Sequence, residues 1–297
     1  MDKLASQSDK TVCVASFDLQ KFLSVPVAKA SAFYYVSKIN CSYFTVFDIG
    51  KTQGYCYFWT EDIGLKDSNE ISSCMLSFVN TKAADGVIKK FCLYSDNCIG
   101  QNKNRYLYAM WLHLSGKHNV TITHRFLEVS HTQTEGDNMH GFIEKKSKAV
   151  DIYAPHEWVT IIKTARAGRL SYKVKELTQD DIFDVKQFIG EDKDWEKDTS
   201  GNKIRWKEIR EVTADPSLPN KLQLKYELDA DPVTLNTCPK KVGRPRNVSH
   251  MPLTKQFEET LPVKKKKLDN LLKLCRKNLI PRAYHNYYVR QRVRTLW

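Results

Sequence analysis

A short apolar run, Phe91-Cys92-Leu93-Tyr94, ends on a lone carboxylate at Asp96. The chain then turns through Asn97, Cys98, Ile99 and Gly100 into a segment opening on Gln101, Asn102 and Lys103. Four apolar residues bounded by turn formers read as a buried strand. Beyond the turn, Tyr106, Met110 and His113 recur at helical spacing, so residues 101–114 read as a helix. A strand that passes directly into a helix commits this region to an α/β architecture, in which ligands gather beyond the carboxyl ends of the strands. Asp18, which closes Val12-Cys13-Val14-Ala15-Ser16-Phe17, has the same kind of position. Two acidic strand tips in one α/β domain point to a divalent-metal site.

The remaining periodicity fills in the order. Residues 11–17 read as a first strand and residues 54–59 as a later one. Residues 32–49, with a turn near 38–41, read as one long or two short strands. Ser68-Asn69-Glu70 has the form of a helix start, and Ile71, Met75 and Phe78 follow at helical spacing. Residues 120–129 read as a strand, and a helix runs from Gly136 through Met139, Phe142 and Ile143 to Lys148. Three opening strands joined by short turns suggest an antiparallel meander, and the later alternation suggests parallel crossovers. That α/β order resembles the ribonuclease H-like mixed sheet of polynucleotidyl transferases, nucleases and transposases.

This core is expected over residues 1–150, a small accessory unit over 151–230, and a basic linker and tail with a short helix over 231–297. Within the accessory unit, residues 158–165 read as a strand, and residues 204–212, carrying Trp206, as another. Residues 232–252 read as a flexible linker, and residues 268–279 as an amphipathic helix stopped by Pro281.

Charge separates the tail from the core. Residues 1–150 carry 17 Lys/Arg against 14 Asp/Glu, residues 151–239 carry 14 against 17, and residues 240–297 carry 16 against 3. The whole excess of +13 therefore lies in the last segment, a polyanion-binding or nuclear-import feature rather than a property of the fold. The eight cysteines form no CxxC pair and several lie in apolar runs, which fits buried reduced thiols better than a zinc ribbon or a disulfide scaffold. No apolar run approaches the length of a membrane span, and none is expected.

Five acids form the candidate catalytic set: Asp18, Glu70, Asp96, Asp137 and Glu144. Metal-assisted phosphodiester cleavage needs carboxylates converging on Mg²⁺ or Mn²⁺, and Asp18, Asp96 and Asp137 are the expected ligands. Glu70 and Asp137 also fit ordinary acids at a helix N-terminus, and Glu144 fits a surface pair with a neighbouring lysine. His124, His131 and His140 surround the last acidic site with no familiar ligand spacing, so hydrogen-bonded or surface histidines are the default. Gln101, Asn102, Lys103 and Arg105 would form an anion cradle at a helix N-terminus, or simply a capped helix start.

The strings Ser95-Asp96-Asn97-Cys98 with Gly100-Gln101-Asn102-Lys103-Asn104-Arg105, Phe17-Asp18-Leu19-Gln20-Lys21, and His131 with Asp137 and Glu144-Lys145 carry a family resemblance. So do Trp158 with Ile161-Ile162-Lys163-Thr164-Ala165-Arg166 and the C-terminal Leu279-Ile280-Pro281 with Tyr284-His285 and Tyr287-Tyr288. They resemble a multicopy, transposon-derived animal family known mainly as a domain of unknown function. The resemblance implies a ribonuclease H-like fold, an acidic metal site on Asp18, Asp96 and Asp137, and Glu70 at the helical acid's position. Transposases of this class more often end with Glu, which leaves the third ligand between Asp137 and Glu144. Family members extend further at the N-terminus, so a DNA-binding region upstream of this chain is expected.

In the tail, Gly243-Arg244-Pro245-Arg246 resembles an AT-hook, and Lys264, Lys265, Lys266 and Lys267 resemble a nuclear localisation signal. Arg290, Arg292 and Arg294 with Tyr287, Tyr288 and Trp297 add phosphate and stacking groups. The sequence thus predicts a nuclear, metal-dependent nuclease or transposase-derived protein acting on DNA, with self-association open. The alternative is a catalytically inactive, domesticated nucleic-acid-binding or interaction protein.

Overall fold

The computed structural model describes residues 7–20, 22–127, 135–166, 168, 171–189, 192–238, 248, 251–291 and 293–294. Its centre is built where the sequence is most β-branched and aromatic. Strands β1 (Val12–Leu19), β3 (Ile39–Asp48) and β4 (Gln53–Thr60) form an antiparallel meander, with the short β2 (Leu23–Val25) on the first part of β3. β5 (Lys90–Ser95) and β6 (Thr121–Phe126) run parallel to β1. The crossovers that parallel pairing requires are helices α1 (Ser68–Ala83) and α2 (Arg105–His118).

The sheet does not stop at residue 150. β7 (Lys173–Glu176) pairs with β4 at one edge, and β8 (Glu211–Ala214), β9 (Lys221–Lys225) and β10 (Val233–Asn236) extend the other edge from β6. One ten-stranded mixed sheet results, in the order β10-β9-β8-β6-β5-β1-β3-β4-β7 with β2 on β3. The strands of residues 151–236 therefore belong to the same sheet as the core.

Period-2 alternation gives the sheet two apolar faces. Cys13, Ala15, Phe17, Phe44, Val46, Phe91 and Leu93 pack one way, against Ile71, Met75 and Phe78 of α1 and Leu107, Met110 and Trp111 of α2. Cys41, Tyr43, Phe47, Cys56 and Phe58 pack the other way, against helices α3 (Glu135–Ser147), α4 (Pro155–Thr164), α5 (Lys265–Arg276) and α6 (His285–Val289). No helix among the described residues is long and apolar enough to cross a membrane.

Three local readings change. Residues 158–165 form most of helix α4, not a strand. Pro155 starts the helix, Glu157 accepts the N–H groups of Tyr153 and Ala154, and Trp158, Ile161 and Ile162 share a face. Trp206 lies in a 3₁₀ turn, Trp206–Glu208, and its strand begins only at Glu211. Part of the expected linker is strand β10; the aligned partners Val233↔Leu224 and Leu235↔Leu222 explain why.

At the start of α1, Asp67 accepts the Ser68 N–H at 2.7 Å, and Glu70 completes a capping box by accepting the Asp67 N–H at 3.1 Å. Asp67→Ala is expected to cost about 1 kcal/mol in denaturant unfolding, the usual value of an N-cap. An unchanged midpoint would mean that neither the cap nor the exposed Lys186–Asp67 pair contributes measurably to stability.

Candidate active site

β1 and β5 are adjacent and parallel, with Ser16 opposite Tyr94. Asp18 lies two residues past Ser16 within β1, and Asp96 directly follows Ser95, the last residue of β5, so both stand at the carboxyl ends of neighbouring strands. Alternation turns Asp18 to the face that carries α3, because its neighbour Phe17 belongs to the opposite core, whereas Asp96 stands in the turn that follows β5. Asp18 lies across from Thr45 of β3, and Thr45 bonds His140 of α3 through its hydroxyl at 2.9 Å. The Tyr43 hydroxyl meets the other ring nitrogen of His140 at 3.3 Å. These two bonds fix α3 against the strand that ends in Asp18.

Each carboxylate has a local support. Oδ2 of Asp18 accepts from the Gln20 side chain at 3.0 Å, and Lys66 donates to the Gln20 carbonyl at 2.6 Å with its ammonium 4.7 Å over the Phe22 ring. Oδ1 of Asp96 accepts the Cys98 N–H at 3.1 Å and the Asn102 amide at 2.6 Å. The Cys98 thiol reports on both: burial raises its pKa first, and the charges of Asp96 and then Asp18 raise it further. Both acids therefore act on one half-buried sulfur. Close by, the amide oxygens of Asn97 and Asn102 are buried with no hydrogen-bond partner among the described residues. Carboxylate and amide oxygens are the donors a hard divalent cation takes.

Behind Asp96 stands a buried relay that the sequence did not reveal. The Trp111 indole N–H donates to Nδ1 of His124 at 3.4 Å, Nε2 of His124 meets the Ser95 hydroxyl at 2.9 Å, and that hydroxyl donates to the Asp96 carbonyl at 2.8 Å. An Nδ1 that accepts leaves the proton on Nε2, so the ring is the neutral Nε2–H tautomer. Burial, followed by the charge of Lys103, pushes the His124 pKa down to about 3. The signal was the alternation of Ile122, His124 and Phe126, three inward positions of β6.

The sign of the pH effect follows from this shift. With its folded pKa below the unfolded value near 6.5, His124 takes up a proton on unfolding between those pH values. Its contribution is thus present above about pH 6.5 and is lost as pH falls toward about 3. His124→Gln is expected to flatten this acid limb in pH-dependent unfolding; an identical limb in the variant would remove His124 as its source.

The other candidates are spread out. Glu70 is fully buried and both its oxygens accept backbone N–H groups, those of Leu65 and Asp67, so it serves the cap of α1. Its pKa is raised, by burial. Asp137 belongs to α3, one turn ahead of His140, and its side chain lies outside the described residues, as does His131. Glu144 is exposed and pairs with Lys148 at 2.9 Å, which lowers its pKa. Its charge nevertheless reaches Tyr43, whose pKa is raised by burial first and then by Cys56, Asp18 and Glu144.

Residues 101–103 do not open the helix. Asn104 is the cap, accepting the Leu107 N–H at 2.9 Å, and α2 begins at Arg105. Arg105 lies 5.6 Å from the Tyr106 ring, and Gln101 accepts weakly from the Cys98 thiol. Lys103 is buried, its ammonium donating to the Lys207 carbonyl at 2.9 Å. Arg244 and Arg246 lie outside the described residues, with Arg292 and Trp297. Lys264, Lys265 and Lys266 are exposed, whereas Lys267 grips both oxygens of Glu61 at 2.6 and 2.9 Å. Tyr288, expected to stack on a base, is fully buried and donates to the Tyr153 carbonyl, so its ring is core.

Among the described residues, no group of three or more His, Cys, Asp or Glu is arranged to hold a metal ion. All eight cysteines are free thiols. A family model described as Domain of unknown function (DUF7869) matches residues 36–208. The matched span includes Glu70, Asp96, Asp137 and Glu144, and leaves Asp18 and the basic tail outside it. No curated protein matches the chain.

Proposed function

The chain belongs to the family described as Domain of unknown function (DUF7869); from that premise we propose that it is a transposase-derived, metal-dependent enzyme that cleaves or transfers phosphodiester bonds of DNA. The observation that carries this reading is the pair of acids, Asp18 and Asp96, at the carboxyl ends of adjacent parallel strands. The strand order β4-β3-β1-β5-β6, three antiparallel strands and then two parallel ones, supports the ribonuclease H-like reading. Asp18 and Asp96 would hold Mg²⁺ or Mn²⁺, with Asp137 or Glu144 of α3 as the third acid. A bound ion of this kind polarises a phosphoryl oxygen and acidifies a bound water. Gln20 steadies one carboxylate and Asn102 the other, so that neither must be ordered when substrate arrives. Nuclear import through the exposed Lys264, Lys265 and Lys266 belongs to the same proposal.

The concentration of positive charge in residues 240–297, 16 Lys/Arg against 3 Asp/Glu, favours a second reading, a domesticated protein that binds nucleic acid without chemistry. Incubation of the purified chain with supercoiled plasmid and Mg²⁺ or Mn²⁺ separates the two. Nicked or joined product supports the enzyme. Retarded but intact plasmid under every metal condition supports the second reading and overturns the first.

A further inference from the structure

A cavity of about 380 Å³ lies beyond the carboxyl end of β4, where the loop after that strand meets helix α6. Asp62, Asn286, Tyr287, Arg290 and Gln291 are on its walls. We propose that this cavity receives an unpaired guanine of a nucleic acid strand, with its Watson–Crick edge on Asp62, Gln291 and Tyr287 and its phosphate on Arg290. The inference rests on the nucleic-acid reading above and adds the base that the strand presents.

Three side-chain atoms on these walls carry the argument. Oδ1 of Asp62, the hydroxyl of Tyr287 and Oε1 of Gln291 are each buried with no hydrogen-bond partner among the described residues. A buried polar group left unpaired is costly, and three around one cavity call for a ligand that pairs with all of them. The walls are held from behind. The Asp62 carbonyl accepts the Leu261 N–H at 2.7 Å and the Gln179 amide at 3.1 Å, and the Tyr287 ring meets the Tyr288 ring edge-on at 5.1 Å. The Gln291 side-chain nitrogen donates to the Tyr287 carbonyl at 3.4 Å, which fixes Oε1 as the unpaired end of that amide. Burial first, and then the charge of Asp62, raise the Tyr287 pKa, so the phenol keeps its proton and can donate.

Donors and acceptors narrow the ligand. The cavity offers two acceptors, the Asp62 and Gln291 oxygens, and one donor, the Tyr287 hydroxyl. A metal ion or an ammonium group would leave the hydroxyl proton unpaired, because neither accepts a hydrogen bond. The Watson–Crick edge of guanine brings two donors, the ring N–H and the 2-amino group, and one acceptor, the 6-oxygen. Adenine brings one donor and one acceptor there, and cytosine and thymine bring one donor and two acceptors. Proteins read this edge on bases that are unpaired. The volume is that of a small-molecule site, roughly 300–1,000 Å³, enough for one nucleotide. Arg290 is exposed on the same wall and gives a phosphate its counter-charge. β4 and β1 both run antiparallel to β3, so they end at the same edge of the sheet, two strand spacings or about 10 Å apart. A strand with its guanine in the cavity thus leads toward the carboxyl end of β1, where Asp18 stands.

The test is fluorescence anisotropy of the full chain with labelled oligothymidines carrying one central guanine, hypoxanthine or adenine, or none, in EDTA so that no cleavage occurs. The guanine oligomer is expected to bind about tenfold or more tighter than the adenine and all-thymine ones, the discrimination of a well-paired base edge. Hypoxanthine lacks the 2-amino group and should fall between. Asp62→Asn should abolish the guanine preference and leave the all-thymine affinity unchanged. Arg290→Ala should lower the log–log salt slope for the guanine oligomer by about 0.7, one phosphate contact. Tyr287→Phe should lose part of the preference yet unfold no earlier than wild type, because it removes a buried hydroxyl without a partner among the described residues. Guanosine monophosphate should compete only weakly; competition at the oligomer's affinity would assign the cavity to a free nucleotide and overturn the strand form. Equal binding of the guanine and adenine oligomers, as expected of a cavity filled by water alone, would overturn the inference even if plasmid nicking is observed. So would a guanine preference that survives Asp62→Asn. A guanine preference lost in Asp62→Asn, in a chain that never nicks, would leave the cavity standing and remove the catalytic reading.

Discussion

Asp96→Ala is expected to abolish plasmid nicking in Mg²⁺ or Mn²⁺, a loss of at least about a thousandfold, because a metal contributes several kcal/mol to the transition state and about 1.4 kcal/mol is a factor of ten. Asp18→Ala should do the same. Asp96 is exposed at a strand tip, and its known partners are the Cys98 N–H and the Asn102 amide. Thermal unfolding of the variant should therefore stay close to wild type while Mn²⁺ binding by calorimetry disappears. Glu70→Gln makes the contrast, since its carboxylate caps α1 from a fully buried position. That variant should lose stability and retain nicking per folded molecule. If Asp96→Ala still nicks plasmid at the wild-type rate, the acid pair is not the reactive centre.

Loss of either partner of the Lys82–Asp48 pair is expected to be the most damaging single change to stability. Both side chains are almost completely buried, and Lys82 lies over the rings of Tyr55 and Phe78 at 4.9 and 5.6 Å. Removing one member strands the other charge in the interior, at a cost of about 3–5 kcal/mol, whereas replacing both with apolar residues of similar volume is roughly neutral. Denaturant unfolding of Asp48→Ala, Lys82→Met and Asp48→Leu/Lys82→Met tests this, with the double variant recovering most of the loss. Burial alone would lower the Lys82 pKa, but hydrogen bonds to Asp48 and Tyr55 outweigh it and the pKa is raised. The stabilisation is therefore fully present below the unfolded lysine value of about 10.4 and is lost as pH rises through the higher folded value. Additive single-variant losses would mean that the pair is not coupled.

How much was legible varied with the type of signal. Helix α1 could be read because Ser68-Asn69-Glu70 precedes apolar residues at helical spacing, and the capping box is a local device. The meander β1–β3–β4 and the parallel β1–β5–β6 were legible because strand runs separated by short turns pair antiparallel and those separated by helices pair parallel. Residues 158–165 misled because eight apolar-rich residues suit a buried strand as well as a helix, and the Glu157 cap that decides between them is a contact with backbone. The last strands could not be placed either. β7 at one edge and β8–β10 at the other are far apart in space although close in sequence, and no local pattern encodes the edge a strand joins.

The same division runs through the site. The sequence by itself determined that Asp18 and Asp96 end strands of an α/β sheet and that the positive charge belongs to the last 58 residues, because strand patterning and net charge are properties of neighbouring positions. Only the tertiary structure decided that the strands ending near the two acids are parallel neighbours in the sheet. It alone joined Trp111, His124 and Ser95 into a relay behind Asp96, and it buried Lys103 against the Lys207 carbonyl. Those outcomes depend on register, on the face to which each helix docks and on contacts across more than a hundred residues, such as Lys103 with Lys207. Such relations are set by which surfaces bury together, and no single stretch of sequence holds both partners.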